Sequence, residues 1–276
     1  MPEAPDLQVV KEFLEARVLG LTVTAAAERR PLVMRNLAGA PFGPDATGRL
    51  IEAVARRGKT LLVNLSGGRL IVITPMLSGG LEYSPARQSA RASTCVVLTL
   101  SDGFEVRYFD RNRTGKVYYL RSGQEGEVPG LSDQGPDVLD APLTLEEFEE
   151  RLRPFRGEIK GVLTRGKAVA GIGNAYADEI LFEAGLFPFK RRARLSSDEM
   201  VRLHRAVYEV PARAFETLRK RVGDAIHREV RDFLRIHGRG DRPCPECGGP
   251  VTSITANRRL TNYCRRCQPG SLFQGP

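Results

Sequence analysis

The sequence predicts an α+β fold with a β-rich first half, a mainly helical second half and a four-cysteine ribbon near the end. Three observations lead to this prediction. Short runs of β-forming residues alternate with Gly-containing turns in the first half, capping-box patterns open helical stretches in the second, and two Cys-x-x-Cys pairs follow. A chain of 276 residues is long enough for two domains.

The first half begins with an amphipathic helix. Leu7, Val10, Leu14 and Val18 recur at helical spacing from Pro5 to Leu19. Five β-forming runs come later, and the Gly-containing breaks between them predict antiparallel hairpins in a sandwich or barrel. These runs are Thr60–Leu65, Arg69–Thr74, Cys95–Leu100, Phe104–Phe109 and Lys116–Leu120.

The second half is predicted to be helical after a linker. Residues 122–142 are rich in Gly, Pro, Asp and Glu with little periodicity, which is typical of a linker. Thr144-x-x-Glu147 and Ser196-x-x-Glu199 are capping boxes, and each opens a helical pattern. Pro211 is expected to kink or divide the helix that starts near residue 197.

The charge of the chain favours a polyanionic partner. Lys and Arg number 42 against 33 Asp and Glu, a formal net charge of +9. The stretch 190–276 carries the whole excess, with 19 basic and 9 acidic residues. A solvated basic face is the simpler alternative. Nucleic acid is favoured over a membrane because no apolar run could cross a bilayer and Met1-Pro2-Glu3 does not begin a signal peptide. We therefore expect a soluble, cytoplasmic protein.

The two Cys-x-x-Cys pairs predict a metal site. Cys244, Cys247, Cys264 and Cys267 have the spacing of a zinc ribbon, with sixteen residues between the pairs. Four thiolates leave no open position for water, so one Zn²⁺ would be structural. The segment 257–259, Asn-Arg-Arg, could present guanidinium groups to phosphate. The alternative is a zinc ribbon with a purely structural role. Cys95, in an apolar run, is predicted to be a core residue.

A second local signal lies at Gly171–Glu179. Two glycines and Asn174, interpreted as a helix cap, precede a helical pattern. Backbone N–H groups at such a helix start can hold a phosphate, although a capped tight turn is the simpler alternative.

The order of four features resembles the formamidopyrimidine-DNA glycosylase/endonuclease VIII family. They are Met1-Pro2-Glu3-Ala4-Pro5-Asp6, Arg57-Gly58-Lys59, the segment 171–179 and the four-cysteine ribbon. The resemblance implies an N-terminal β-sandwich with flanking helices, a helix-two-turn-helix domain and a C-terminal zinc finger. The expected partner is double-stranded DNA with a damaged base or abasic site, bound by a monomeric, bacterial, nucleoid-associated enzyme.

With this resemblance, the predicted domain bounds are 1–121 for the catalytic β-sandwich, 122–142 for the linker, 143–240 for the helix-two-turn-helix domain and 241–276 for the zinc finger.

The resemblance also assigns roles to residues. Pro2 would be the nucleophile that displaces the base and forms a Schiff base, once Met1 is removed, and Glu3 the acid/base residue. Successive β- and δ-eliminations would then cut the strand. An α-amine titrates near ~8 against ~10.4 for lysine, so a terminal amine is a plausible imine-forming group. The resemblance implies phosphate contacts by Lys59, Arg113, Asn174, the backbone of Tyr176 and Arg259.

The sequence departs from the family at the wedge that fills the gap left by the extruded base. Leu77, Asn112 and Thr114 stand where one branch has Met, Arg and Phe. The segment 223–241 is also short where members specialised for 8-oxoguanine carry a longer loop. Preference for 8-oxoguanine is therefore not expected, and oxidised pyrimidines, ring-opened purines, abasic sites and bulkier adducts stay open.

Two other functions compete with a glycosylase. A non-catalytic relative could bind distorted DNA through the same contacts, and the altered wedge supports it. A metal-dependent phosphodiesterase would need a cluster of ligands, but His204, His227 and His237 are scattered without ligand spacing. These histidines are interpreted as surface or packing residues.

Overall fold

The computed structural model describes residues 1–256 and 259–271. The chain forms two compact units. The first contains residues 1–133 and 217–229, and the second contains residues 134–216 and 230–276. The predicted domain bounds differ in detail from these units and stay a prediction.

The first unit is a two-sheet sandwich with helices. One sheet has the strand order β1-β7-β8-β6 and the other β2-β9-β5-β4-β3, in which only the β2–β9 pair is parallel. The elements are α1 (Ala4–Val18), β1 (Val23–Glu28), β2 (Met34–Asn36), α2 (Phe42–Ala46), β3 (Ile51–Arg57), β4 (Thr60–Leu65), β5 (Arg69–Thr74), β6 (Gly79–Pro85), β7 (Thr94–Leu100), β8 (Phe104–Asp110) and β9 (Lys116–Arg121).

The core of this unit explains why its strands form. Leu61, Val63 and Leu65 alternate along β4, and their buried side chains join those of Val96 and Leu98 from the other sheet. This period of two is what a strand with one face on a core requires. The predicted apolar face of α1 is buried against the same core. Cys95 is also fully buried there, as predicted.

A partly buried carboxylate fixes α2 on the second sheet. Asp45 accepts hydrogen bonds from Arg69 at 2.6 Å and from the Tyr119 hydroxyl at 2.6 Å, and Arg49 pairs with it at 2.9 Å. Burial alone would raise the pKa of Asp45, but these donors outweigh it and hold the pKa well below its usual range.

The regular secondary structure of the described residues in the second unit consists mainly of helices and one hairpin. Its helices are α3 (Leu145–Leu152), α4 (Ile159–Thr164), α5 (Asn174–Glu183) and most of α6 (Ser197–Val222), and its hairpin is β10 (Val251–Ala256) with β11 (Arg259–Cys264). Single 3-10 turns lie at Glu125–Glu127 in the first unit and at Arg192–Arg194 in the second. No helix in the described ranges combines the length and apolar character of a membrane span.

Both capping boxes are present at the starts of α3 and α6. Thr144 and Glu147 exchange hydrogen bonds between side chain and backbone, and so do Ser196 and Glu199. Pro211 was expected to kink or divide this helix; division is wrong, because α6 runs through the proline without a break, and the kink stays a prediction. A single proline removes only one hydrogen bond of the ladder, and a long helix held along its length tolerates that loss.

Candidate functional site

The amino terminus is held in place by the start of α1. Glu3 is 2% exposed, and its side chain accepts the N–H of Asp6 while its own N–H donates to the Asp6 carboxylate at 2.8 Å. This reciprocal capping box fixes the backbone that follows Pro2. The amino group of Met1 lies 3.3 Å from a carboxylate oxygen of Glu229. Pro2 is therefore attached to an ordered helix start.

A cavity of about 140 Å³ lies beside Pro2, entirely within the first unit. Its walls come from α1, the turn after β5, Phe109 of β8 and the segment 218–229. Pro2 and the predicted wedge residue Leu77 both line it, so the structure brings these two residues to one place. Asp6 and residues 227–229 add polar groups to the walls. The sequence reasoning did not identify the cavity or these polar groups.

The predicted phosphate-binding Lys59 lies in the tight turn between β3 and β4. Gly58, before it, has a φ of +56°, a left-handed conformation that favours glycine. Arg56 donates to the carbonyl of Gly58 at 2.8 Å and to the side-chain oxygen of Gln8 on α1 at 2.9 Å. The turn that carries Lys59 is thus fastened to the helix that begins next to Pro2.

The three predicted wedge positions lie on two exposed loops. Leu77, after β5, has 70% of its surface exposed, and its neighbour Met76 has 39%. Asn112 and Thr114, after β8, are exposed as well. Arg113, between them, has a φ of +55° and an exposed side chain. An unpacked leucine at a loop tip suits insertion into an apolar gap.

Asp110, at the end of β8, joins these two loops from beneath. Its buried carboxylate accepts hydrogen bonds from the Ser78 hydroxyl and from the backbone N–H groups of Asn112 at 3.0 Å and Gly115 at 2.7 Å. The Ser78 hydroxyl also accepts the N–H of Asn112 at 2.9 Å. Burial alone would raise the pKa of Asp110, but these hydrogen bonds outweigh it and lower the pKa. Asp110 is a residue that sequence reasoning missed.

Glycine is required where the loops pass over Tyr108. A β-carbon at Gly115 would lie 2.0 Å from the Tyr108 hydroxyl, and one at Gly79 would lie 2.5 Å from it. The phenol is buried, and its burial first and the Asp110 charge second raise its pKa. The loop bases are therefore packed closely on the sheet, while the loop tips are exposed.

The predicted helix-start motif is present in the second unit, with one correction. Gly173 is the cap of α5 and Asn174 is its first residue, so Asn174 is not the cap. Its side-chain amide instead donates to the carbonyl of Leu260 at 2.6 Å. Asn174 can do this because glycine already supplies the extended cap conformation. Tyr176, two residues further, is buried, and Arg231 lies over its ring at 5.2 Å.

A buried ion-pair network lies between α4, α5 and the ribbon hairpin. Lys160 is paired with Asp178 at 2.6 Å and also donates to the Leu260 carbonyl at 2.8 Å. Asp178 accepts the backbone N–H of Asn262 at 3.1 Å and bonds to the His237 ring at 2.7 Å. No periodicity or spacing in the sequence indicated this network. It fixes the hairpin that carries Arg259.

Arg259, the predicted finger arginine, begins β11 and is exposed. It directly precedes Leu260, whose carbonyl is held by both Asn174 and Lys160. Asn174 thus bonds to the residue that follows Arg259, so the structure brings these two predicted phosphate-binding residues close together. Residues 257 and 258, predicted to act with Arg259, lie outside the described residues.

The four predicted metal ligands form one cluster. The sulfur atoms of Cys244 and Cys267 are 3.7 Å apart, those of Cys247 and Cys264 are 3.4 Å apart, and all four lie within 4.8 Å of one another. Zn–S bonds of about 2.3 Å in a tetrahedron require sulfur separations near these distances. The Gly249 N–H and the Cys264 thiol lower the pKa of Cys247 to about 7, while burial raises the pKa of Cys264 and Cys267. The residues fit one structural zinc ion.

Three protein-family models match successive parts of the chain. The formamidopyrimidine-DNA glycosylase N-terminal domain matches residues 1–117, its H2TH domain residues 134–234, and a zinc finger found in FPG and IleRS residues 242–270. The formamidopyrimidine-DNA glycosylase of Symbiobacterium thermophilum is 34% identical over 274 residues, 98% of this chain and 90% of the relative. The chain belongs to the formamidopyrimidine-DNA glycosylase family.

Solved structures of family members agree. The crystal structure of MutM (Fpg) from Thermus thermophilus is 31% identical with a TM-score of 0.84, and the match covers 100% of both chains. The Lactococcus lactis Fpg complex with DNA containing an abasic site has a TM-score of 0.87 at 22% identity, covering 97% of this chain and 100% of the other, and shows the same fold. Membership in a family of DNA glycosylases places the chain among base-excision repair proteins.

The predicted fold class is confirmed, with its N-terminal sandwich, H2TH domain and zinc finger. The histidines differ in their surroundings. His204 bonds to the carbonyl of Leu143 at 2.7 Å and His237 to Asp178, which suits the expected packing roles. His227 lines the cavity beside Pro2 instead.

Proposed function

We propose that this family member is a bifunctional DNA glycosylase and abasic-site lyase that uses Pro2 as its nucleophile. The observation that carries the proposal is the position of Pro2 at a cavity, on an ordered helix start, with the buried carboxyl of Glu3 next in the chain. Met1 must first be removed, because an acylated proline nitrogen has no nucleophilic lone pair.

In the proposed first step, the secondary amine of Pro2 attacks C1′ of the damaged nucleotide. The base leaves with the bonding electron pair and takes up a proton, the amine loses its own proton, and the sugar ring opens to an iminium ion as O4′ is protonated. Glu3 is the residue proposed to hold and deliver these protons. Glu3 lies at the start of α1, where the helix dipole is positive.

In the proposed second step, the iminium ion acidifies C2′. Loss of that proton expels the 3′ phosphate by β-elimination, and loss of a second proton, from C4′, expels the 5′ phosphate by δ-elimination. Water then hydrolyses the imine and releases Pro2. Each elimination breaks a C–O bond next to a conjugated iminium system, so no metal at the reacting atoms is required.

The proposed substrate is double-stranded DNA with a damaged base or abasic site. Lys59, Arg113, Asn174, the backbone of Tyr176 and Arg259 are proposed to contact its phosphates, which position the DNA but do not read its sequence. Leu77, Asn112 and Thr114 are proposed to enter or border the gap left by the extruded base. The exposure of Arg113, Arg259 and Leu77 supports these roles. The domain bounds given above are proposed on the same basis.

Borohydride trapping tests the proposal. The purified protein, with removal of Met1 confirmed by mass, is mixed with duplex DNA carrying one abasic site, and the covalent product is measured on a denaturing gel. We expect trapping by the wild type and a large loss in Pro2→Gly. Glu3→Gln is the companion variant, and it should slow base excision and strand cutting.

Pro41→Gly is the matched control, because it changes a proline outside the cavity. It should trap DNA like the wild type. Absence of wild-type trapping, with DNA binding intact, would contradict the lyase mechanism and favour the non-catalytic DNA-binding relative that the altered wedge also suits.

A further inference from the structure

The terminal amine is paired with a carboxylate that lies far along the chain. The amino nitrogen of Met1 is 3.3 Å from Oε1 of Glu229, which is 228 positions away. Glu229 and Pro2 also line the same cavity, and both belong to the first unit. The fold therefore brings an anionic side chain to the end of the chain at which the proposed chemistry takes place.

The segment that carries Glu229 has a defined position without this ion pair. Residues 217–229 belong to the first unit, and Ile226 is 5% exposed within its core. Asp224 pairs with Arg17 of α1 at 3.1 Å. The core contact of Ile226 is the stronger anchor, because exposed ion pairs add little to stability. Packing therefore places Glu229 beside the start of α1 whether or not its carboxylate is charged.

Other charged and titratable side chains lie near the amine. Glu3 follows the proposed nucleophile in the chain, and Asp6 closes the capping box with it. Asp6, His227 and Arg228 line the cavity together with Glu229. These groups are unchanged when only residue 229 is replaced. A difference in the protonation of the amine after that replacement therefore comes from the Glu229 carboxylate.

Removal of Met1 moves the terminal amine by one residue. Consecutive Cα atoms are about 3.8 Å apart, so the amine of Pro2 lies within one residue's length of the position that Glu229 contacts. The Glu229 side chain is 48% exposed and has room to turn toward it. Protonated proline offers two N–H donors, and the neutral amine offers one N–H and one lone pair. A carboxylate that accepts the N–H therefore favours the protonated form and, after deprotonation, turns the lone pair away from itself.

We propose that the Glu229 carboxylate holds the secondary amine of Pro2 in the mature chain and turns its lone pair toward the cavity. The inference rests on the proposed function, because it requires removal of Met1 and a reactive Pro2. Glu229 is a positioning residue that acts through Pro2, whereas Glu3 is proposed to hold and deliver protons. The nucleophile then depends on two carboxylates, one next to it in the chain and one brought by the fold.

The protonation of Pro2 can be measured directly. The chain has 18 prolines, and once Met1 is removed only Pro2 has an amine nitrogen, so a ¹⁵N-proline sample gives it a separate NMR signal. A pH titration of this signal without DNA gives the midpoint at which the amine loses its proton. Glu229→Gln should lower this midpoint by about half a pH unit at low salt, because an exposed carboxylate stabilises the protonated form modestly. The difference should disappear at about 1 M salt, where charges are screened beyond about 3 Å.

Two variants separate the charge of Glu229 from the packing of its segment. Glu229→Asp keeps the carboxylate and should keep most of the wild-type midpoint. Asp224→Asn removes the pair with Arg17 but leaves the Glu229 carboxylate in place, and it should titrate like the wild type. Equal midpoints in the wild type and Glu229→Gln would overturn the contact between Glu229 and the amine. The same shift in Asp224→Asn would also overturn it, since the effect would then come from the segment as a whole.

Trapping kinetics test the orientation of the amine. Single-turnover trapping on abasic DNA is measured at saturating DNA from about pH 6 to about pH 9, with cyanoborohydride as a reductant that is stable in mild acid. At the upper end the amine is neutral in both proteins, and Glu229→Gln should trap about 3- to 10-fold more slowly because its lone pair is less well directed. The gap should narrow toward the lower end, because the lower midpoint leaves a larger neutral fraction in the variant. A loss that is equal at every pH would overturn the proposal in favour of a packing role.

The two experiments keep failure of this inference apart from failure of the proposed function. A shifted midpoint in Glu229→Gln together with no trapping by the wild type supports the amine contact and contradicts the lyase proposal. Trapping by the wild type, with an unshifted midpoint and rate in Glu229→Gln, retains the lyase proposal and overturns the role of Glu229.

Discussion

The wedge loops of the first unit and the ribbon hairpin of the second unit present similar side chains in different ways. Each carries an exposed arginine proposed to contact phosphate, Arg113 in one and Arg259 in the other. The wedge loops are held by Asp110, whose carboxylate accepts hydrogen bonds from the backbone of Asn112 and Gly115. The hairpin is held by four thiolates and by the buried Lys160–Asp178 pair.

This difference in how the two regions are held explains why side chains can vary in the wedge loops but not at the metal site. The carboxylate of Asp110 bonds to the backbone N–H of Asn112, so the side chains of Asn112 and Thr114 do not shape their loop. These residues can differ from those of relatives without loss of the loop conformation. The ribbon has no such freedom, because its ligands are side chains and the metal requires all four. Departures from a family pattern are therefore expected in the wedge and not in the metal site.

Removal of zinc should have the largest effect and should be confined to the ribbon. Structural zinc contributes about 10–16 kcal/mol in isolated fingers, so loss of the ion should unfold β10 and β11. Hydrogen exchange after chelation or in Cys264→Ser should show loss of amide protection in this hairpin and retained protection in the sandwich. DNA affinity should fall at least about 100-fold with the proposed Arg259 contact.

Cys95→Ala is the matched control for the metal ligand. Cys95 is buried in the sandwich core and is not one of the four clustered thiolates. The variant should keep one zinc ion per chain and its ribbon protection. Equal protection of β10 and β11 with and without zinc would contradict the view that the metal holds the hairpin.

Removal of the buried carboxylate in the second unit should have the next largest effect. Asp178→Asn leaves the ammonium group of Lys160 buried without its counter-charge and weakens the contacts to Asn262 and His237. Breaking a buried ion pair costs about 3–5 kcal/mol, and urea unfolding should measure that loss in the free energy of unfolding. Zinc content should be unchanged.

A surface pair supplies the control for this prediction. Glu15→Gln removes the Lys11–Glu15 pair, which is partly exposed on α1. Its effect should be below about 0.5 kcal/mol, as for other helix surface pairs. A loss in Asp178→Asn no larger than this would show that the buried pair does not stabilise the second unit.

The features that could be predicted from the sequence are those encoded by residues close together in the chain. The α1 face, five strands, both capping boxes and the four cysteines are each encoded by short spacings, and the structure has them. The strands β1, β2, β3 and β6 were not predicted. β2 has three residues and pairs in parallel with β9, so its identity comes from a partner distant in the chain. Isolated short strands carry too few alternating positions to be recognised.

The site residues were missed for a similar physical reason: their roles depend on partners distant in the chain or on the folded backbone. Glu229 and Met1 are 228 positions apart in the numbering and meet because Ile226 packs into the sandwich core. Asp110 was not predicted, because its role depends on backbone N–H groups that only the folded loop aligns. Asn174 was predicted as a cap and instead bonds to Leu260. Tertiary contacts decide these roles, and a single sequence does not record them.

The smallest of the three effects should follow from removal of the Asp110 charge. Asp110→Asn replaces an acceptor of several hydrogen bonds with an amide that presents N–H groups to other N–H groups, at a cost of about 1–3 kcal/mol. The loops should become more mobile, and trypsin should cut faster after Arg111 or Arg113. Ser101→Ala, in another exposed turn of the sandwich, is the control and should not change cleavage at these sites.

The pH dependence of this effect has a definite sign. The pKa of Asp110 is lower in the folded protein than its usual value near 3.8, so the carboxylate contributes stability above about pH 4. That contribution is lost as the pH falls toward the folded pKa, since protonation then removes the charge in both states. The difference in the free energy of unfolding between the wild type and Asp110→Asn should therefore be constant from pH 8 to about pH 5 and should shrink below about pH 4. A difference that stays constant down to pH 3 would mean that loop shape depends on the oxygen atoms of Asp110 and not on its charge, and the wedge loops would then tolerate a neutral residue at this position.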